Sequence, residues 1–214
     1  MTVTAIHPVR HRLSMLYLDG EAAMKLDTAT LEAESIRVGQ VLTDEELHEL
    51  VQKSEAHRAH EKALYLLEYR SRSRKELKDR LRREVGDETA ENTVAHMEEL
   101  GLVDDEAYAR QLAHNLAQSK RFAPRRIRQE LAARGIDRDV AEEAAQSAAQ
   151  DAFSAIGEIL DRRYPCIQDE KTRRRAVNAL LRLGYGYDDI RTVLRERLES
   201  FDEEGEGVSP WQSK

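Results

Sequence analysis

From Thr43 to Leu198 the apolar residues fall mostly three and four positions apart, the period of helices with one buried face. Before Thr43 the period is shorter. Arg12 to Leu18 alternates, with Leu13, Met15 and Tyr17 on one side. Asp19-Gly20 follows as a two-residue hairpin turn, and Glu21 to Leu26 reads as the returning strand. Thr28 to Ser35 suits a short helix, and Arg37 to Leu42 suits a third strand with Gly39 as its turn or bulge. Residues 1–10 carry no readable pattern.

The helical stretch has clear punctuation. Thr43 and Glu46 make a capping box that opens a helix to about Lys53, and a second helix from about Glu55 turns Ala59, Ala63, Leu66 and Leu67 inward. Ser73 and Glu76 make another box. Glu88 to Leu100 is helical, with Val94, Met97 and Leu100 on one face and Gly101 as its stop. Asp104 caps a helix whose Tyr108, Leu112 and Leu116 face the core, with Asp105 and Glu106 at its positive end. Asp137 caps one through Val140 and Ala144. From Asp151 a further helix buries Phe153, Ile156 and Leu160 and ends at Pro165, and Thr172 to Leu183 and Asp188 to Leu198 complete the set. Phe201 to Lys214 is acidic, contains Gly, Ser and Pro, and is expected to be a disordered tail.

Three of these stretches are versions of one another: SRKELKDRLRREVG from Ser73, PRRIRQELAARG from Pro124 and TRRRAVNALLRLG from Thr172. Each has a basic start, an apolar pair four apart and a closing glycine. The pairs are Leu77/Leu81, Ile127/Leu131 and Ala176/Leu180, and their second members are 50 and 49 residues apart, a repeat period. Each unit holds three helices that bury their faces against neighbours. The basic starts are Arg70, Arg72, Arg74 and Lys75; then Lys120, Arg121, Arg125, Arg126 and Arg128; then Lys171, Arg173, Arg174 and Arg175. In the middle stretch, Lys120 to Arg134 reads as one short helix with Pro124 in its first turn and Gly135 at its stop. Cations at a helix N-terminus oppose the dipole, each by roughly 0.3–1 kcal/mol. An anion bound there would relieve the conflict, so these residues are candidate phosphate or carboxylate contacts.

Charge sharpens this picture. The chain of 214 residues carries a net −7, so it has no global basic field. Residues 1–60 are net −4 and residues 196–214 net −4, whereas Lys120 to Arg134 alone is net +5. Nucleic-acid contact must therefore be a local patch. Aromatic residues make up only 5%, which argues against a base-stacking platform. Tyr185 and Tyr187 fit a helix stop followed by packing better than a base-stacking site. Cys166 is the only cysteine, which excludes an intramolecular disulfide and fits a reducing cytoplasm. No apolar run approaches a membrane span, and the N-terminus has no signal-peptide pattern.

Catalytic chemistry is not evident. There is no Gly-rich phosphate loop and no nucleophile elbow. His7/His11 and His57/His60 have ligand-like spacing but no convincing further ligand, and Asp104 to Glu106 is explained by capping. No metal, no cofactor and no catalytic residue is expected.

ALYLLEYRSRSRKEL, EELGLVDDEAYAR, PRRIRQELAARGID and LLRLGYGYDDI, in this order and spacing, resemble the RecX family of regulators of the RecA recombinase. YLDGE and VGQVLTDEEL look like the N-terminal extension of some Gram-positive members. The resemblance runs from about Arg12 to Leu198. Ser71 stands where a proline is common, and Leu183 where an arginine usually precedes the glycine. The resemblance implies a mainly α protein of tandem three-helix repeats in a curved, elongated array, with a small N-terminal β-hairpin-containing element. The expected divisions are an extension and linking helix over 1–58, repeats over 59–103, 104–150 and 151–200, and the tail over 201–214. It further implies binding to the RecA–DNA filament, with suppression of ATP hydrolysis and strand exchange, by a monomer that is not itself an enzyme. The residues alone do not name RecA. They leave open a stand-alone helical-repeat DNA-binding protein and a protein-binding scaffold without DNA contact.

Overall fold

The computed structural model describes residues 1–206, with side chains to 199, and in that range holds ten helices and one three-stranded sheet. The chain divides between Asp104 and Asp105 into two compact units.

The first unit opens with β1 (Val3–Pro8), β2 (Leu13–Leu18) and β3 (Glu21–Asp27), an antiparallel sheet in that order. The hairpin is where the sequence puts it, with Asp19 and Gly20 both left-handed at φ 50° and 92°. Ser14, Leu16 and Leu18 form its buried face, and Leu13, Met15 and Tyr17 share the half-buried one. Two expectations need correction. The third strand is β1, within the stretch that carried no pattern. Residues 37–42 do not form a strand. They run beside β1 as a strap, with Val3 N–H donating to Gln40 O and Gly39 N–H to Val3 O, each 2.8 Å, and one bridge between Thr2 and Val41. The turn at Gly39 limits the pairing to that bridge.

After α1 (Thr28–Ala33), α2 runs unbroken from Asp44 to Tyr69, not as two helices. Thr43 and Glu46 complete the expected capping box. Ser54 sits where a break was expected. It is buried, and its hydroxyl accepts the Asp27 N–H at 2.7 Å, so it ties α2 to β3 rather than capping a new helix. The first half of α2 closes a core of Val3, Leu16, Leu26, Leu31, Leu42 and Leu50 over the sheet. Its second half packs with α3 (Arg74–Leu81) and α4 (Asp87–Glu99) around Ala63, Leu77, Leu81, Val94 and Met97. Leu100 lies outside this core, 53% exposed. Gly86 does not stop α3, which ends at Leu81; it is the N-cap of α4.

The second unit holds two more such cores. One is built by α5 (Asp105–Lys120), α6 (Pro124–Ala133) and α7 (Arg138–Ser147) around Ala113, Leu116, Ile127, Leu131 and Ala145. The other is built by α8 (Ala152–Arg163), α9 (Glu170–Leu183) and α10 (Tyr187–Glu206) around Ile156, Leu160, Ala176, Leu180, Tyr185 and Ile190. The repeat pairs Leu77/Leu81, Ile127/Leu131 and Ala176/Leu180 are all fully buried. Each buried Leu or Ile contributes about 1.5–3 kcal/mol relative to an exposed one. Phe153, expected inside, is 45% exposed, because Ala155 and Ile159 take the inner positions of α8. Lys120 to Arg134 is not one helix: Lys120 ends α5, Arg121 turns the chain at φ 55°, and α6 begins at Pro124. The expected tail begins as the last turns of α10 at 201–206, and residues 207–214 lie outside the described residues.

Candidate functional site

The three basic helix starts differ in how far the fold neutralises them. At the first, Arg70 reaches Glu76 at 2.9 Å, and Arg72 is buried, its Nε donating to Leu66 O at 3.2 Å. Arg74 is gripped between Glu91 and Glu98 of α4, and Lys78 joins Glu91 at 2.5 Å. Hydrogen bonds from Lys78 and then Arg74 hold the Glu91 carboxyl below the usual carboxylate range. The bonds Arg74 donates to Glu91 and Glu98 raise the pKa of its guanidinium above the ordinary value. Lys75 is exposed.

At the second start the cations divide. Arg121 is a staple within the second unit: its guanidinium donates to Gln150 and pairs with Glu158, both at 2.8 Å, and its carbonyl accepts the Tyr185 hydroxyl at 3.0 Å. Arg126 pairs with Glu130 at 2.7 Å and lies 5.6 Å over the Phe122 ring, which the Lys120 ammonium also approaches at 5.7 Å. Glu130 takes Arg134 as well, and that bond is the main cause of its depressed carboxyl pKa. Arg128 pairs with Glu142 of α7 at 2.6 Å. Arg125 is exposed and has no side-chain hydrogen bond or ion pair among the described residues.

The crowding of cations before α6 has a partner that local sequence did not show. Ala123, the N-cap of α6, donates its N–H to Leu183 O at 2.9 Å. The positive end of α6 therefore abuts the negative end of α9, where nearby cations are favourable rather than costly. Part of the dipole conflict is thus relieved within the fold, without a ligand.

At the third start, α9 begins at Glu170 under an Asp169 cap. Arg174 pairs with Glu170 at 2.5 Å, whereas Arg173 and the exposed Arg175 make no ion pair among the described residues. Sequence reasoning did not single out Arg191 and Arg195, which stand four apart on α10 and border the same groove as Arg173 and Arg174. That spacing was the available signal, masked by the acidic residues around it. Leu183, at the position of the family's arginine, packs against the core of α8 to α10.

Elsewhere, His57 Nδ1 lies 3.0 Å from Asp27, and the His60 and His96 rings are 5.6 Å apart. No group of three or more His, Cys, Asp or Glu that could hold a metal occurs among the described residues. Cys166 is exposed, and Tyr185 is a packing residue whose phenol pKa burial pushes up. No helix among the described residues is long and apolar enough to cross a membrane.

Successive three-helix units with basic helix starts define a helical-repeat protein with localised cationic surface. Residues 59–97 match the family model described as RecX, first three-helix domain, and residues 104–144 the one described as RecX, second three-helix domain. The regulatory protein RecX of Thermus thermophilus is 34% identical over 146 residues, 68% of this chain and 93% of that protein. That of Stenotrophomonas maltophilia is 34% identical over 138 residues, 63% of this chain and 84% of the relative. That of Lactobacillus delbrueckii subsp. bulgaricus is 26% identical over 196 residues, 89% and 72%. The chain belongs to the RecX family of regulatory proteins. Its fold is shared with a crystal structure of regulatory protein RecX at a TM-score of 0.62 and 18% identity, covering 90% of this chain and 98% of the other. It is shared also with RecX from Lactobacillus salivarius at 0.55 and 24%, covering 66% and 96%.

Proposed function

We propose that this protein binds the RecA–DNA filament and restrains RecA, slowing its ATP hydrolysis and strand exchange, through contacts and not through catalysis of its own. In this reading it acts as a cytoplasmic monomer. The observation that carries the contact surface is the set of arginines without an ion pair among the described residues: Arg125 at the start of α6, and Arg173 and Arg175 at the start of α9, where Arg175 has only the more distant pull of the Asp169 cap. Exposed Lys120, whose ammonium approaches the Phe122 ring but has no ion pair among the described residues, adds to them. Cations without internal ion pairs are available to phosphates or to acidic protein surface. Family membership supports RecA as the partner. Arg70, Arg72 and Arg74 of the first unit are engaged by the protein's own backbone and carboxylates, so in this reading the second unit carries more of this contact than the first.

The test is a titration against DNA with and without RecA and ATP, at two salt concentrations. The expected result is tighter association with the RecA–DNA complex than with bare DNA, together with a fall in RecA ATPase. Equal affinity for bare DNA, falling steeply with salt, would instead identify a stand-alone DNA-binding protein. Absence of any filament association would leave a scaffold for other proteins.

A further inference from the structure

Between α9 and α10 lies a groove of about 670 Å³. Its floor is apolar: Val177 on α9, and Ile190, Leu194 and Leu198 on α10. Its rim is basic, with Arg173 and Arg174 on α9 and Arg191 and Arg195 on α10. Tyr187 lines it as well and is 61% exposed. From Tyr187 to Leu198 the lining residues of α10 share one face over three turns, about 16 Å at 1.5 Å per residue. Two of the four arginines are answered within the fold, Arg174 by Glu170 at 2.5 Å and Arg195 by Glu199 at 3.9 Å. Arg173 and Arg191, one on each helix, have no carboxylate partner among the described residues.

We propose that this groove receives an acidic amphipathic segment of a protein partner, which lays apolar side chains on the floor and sets carboxylates against Arg173 and Arg191. A groove between two helices, three turns long and apolar at its base, has the form that takes the apolar face of a third helix. Guanidinium forks at its edges then select carboxylates beside that face and reject a basic helix of the same shape. A DNA backbone would use the arginines but would leave the aliphatic floor wet, and among the described residues Tyr187 is the only aromatic side chain lining it for a base to stack on. A second copy presenting the same face would bring arginines against arginines, which disfavours a two-fold dimer here. The inference rests on the reading of RecA in its DNA filament as the partner and specifies which chemistry the third helix pair recognises there.

The full chain, with p-benzoylphenylalanine in place of Tyr187 and in a second version in place of Asn178, is irradiated with RecA–single-stranded DNA filaments and then sedimented. The expected result is co-sedimentation with an adduct on a RecA segment that carries Asp or Glu around apolar side chains. The pair of changes Arg173→Glu and Arg191→Glu should remove the adduct and weaken filament association about tenfold or more, with the helical circular dichroism unchanged. Co-sedimentation with adducts only on DNA, or with none from either position, overturns the groove assignment and leaves the proposed function standing. Failure of the unmodified protein to sediment with filaments overturns both.

Discussion

Gly184 and Arg126 meet backbone to backbone: a Cβ on Gly184 would stand 2.8 Å from both the nitrogen and the Cβ of Arg126. The turn after α9 is thereby pressed against the first turn of α6. The Ala123–Leu183 and Tyr185–Arg121 hydrogen bonds lie beside this contact. Gly184 also holds φ at +95°, where a side chain is strained even in open space. Gly101 has a similar strain, φ +68°, but a methyl added there would meet nothing within 4 Å. Gly101→Ala should therefore cost about 1–2 kcal/mol and Gly184→Ala clearly more, by about 1–3 kcal/mol, in urea unfolding. Equal losses would show that the close approach to Arg126 relaxes freely.

Acid should loosen the first helical core through Glu91. Lys78 and Arg74 hold its carboxyl below the usual carboxylate range in the folded chain. Above that range both states are ionised and the stabilisation is complete. As pH falls through the ordinary value, the unfolded chain takes up its proton first, so stability is lost, and the loss ends below the depressed folded value. Circular dichroism melts from about pH 7 down to about pH 3 should show Tm falling, and Glu91→Gln should make that fall shallower. An unchanged slope would mean that the Lys78–Glu91–Arg74 cluster does not stabilise the core.

Arg121 should behave as a structural residue. Its pair with Glu158 is part-exposed, so a double-mutant cycle with Arg121→Ala and Glu158→Ala should give a coupling of about 0.2–1 kcal/mol. Tyr185→Phe, which leaves the Arg121 carbonyl without its hydroxyl donor, should cost about 1 kcal/mol. Thermal melts of the single and double variants check both. Zero coupling would show that the Arg121–Glu158 pair adds nothing to the connection between the helices of the second unit.

What could be seen in the sequence was what depends on near neighbours. The Asp19-Gly20 turn, the Thr43–Glu46 box, the glycine stops at Gly135 and Gly184 and the three apolar pairs are all decided within a few residues. What was hidden depends on distant ones. β1 is a strand because β2 and residues 39–41 flank it. Ser54 reads as a helix breaker until Asp27 gives its hydroxyl a buried donor. The basic starts look alike in sequence, yet Glu91, Glu98, Glu142 and Glu158 engage some of their arginines and not others, and each acid lies 14 or more residues away. Similarity to a family reached further than periodicity, because it offers a partner to test that residue patterns cannot name.

Arg125 and Arg126, adjacent in sequence, should separate function from stability. Arg126 holds Glu130 and lies over Phe122, so Arg126→Ala should lower stability by about 1 kcal/mol, through the lost cation–π contact and ion pair. Arg125 is exposed and makes no side-chain hydrogen bond or ion pair among the described residues, so Arg125→Ala should leave unfolding within about 0.5 kcal/mol of the parent. If α6 faces the filament, that same change should weaken filament association. For a phosphate contact it should also reduce the salt slope of binding by up to about one unit. Arg173→Ala and Arg175→Ala, equally without internal ion pairs, should act in the same direction, whereas Arg72→Ala should destabilise the first unit, because that guanidinium is buried against the α2 carbonyl of Leu66. Urea unfolding and RecA ATPase inhibition, measured on the same preparations, decide it. An Arg125→Ala variant that inhibits as strongly as the parent, beside an Arg126→Ala variant that loses only stability, would remove the start of α6 from the contact surface.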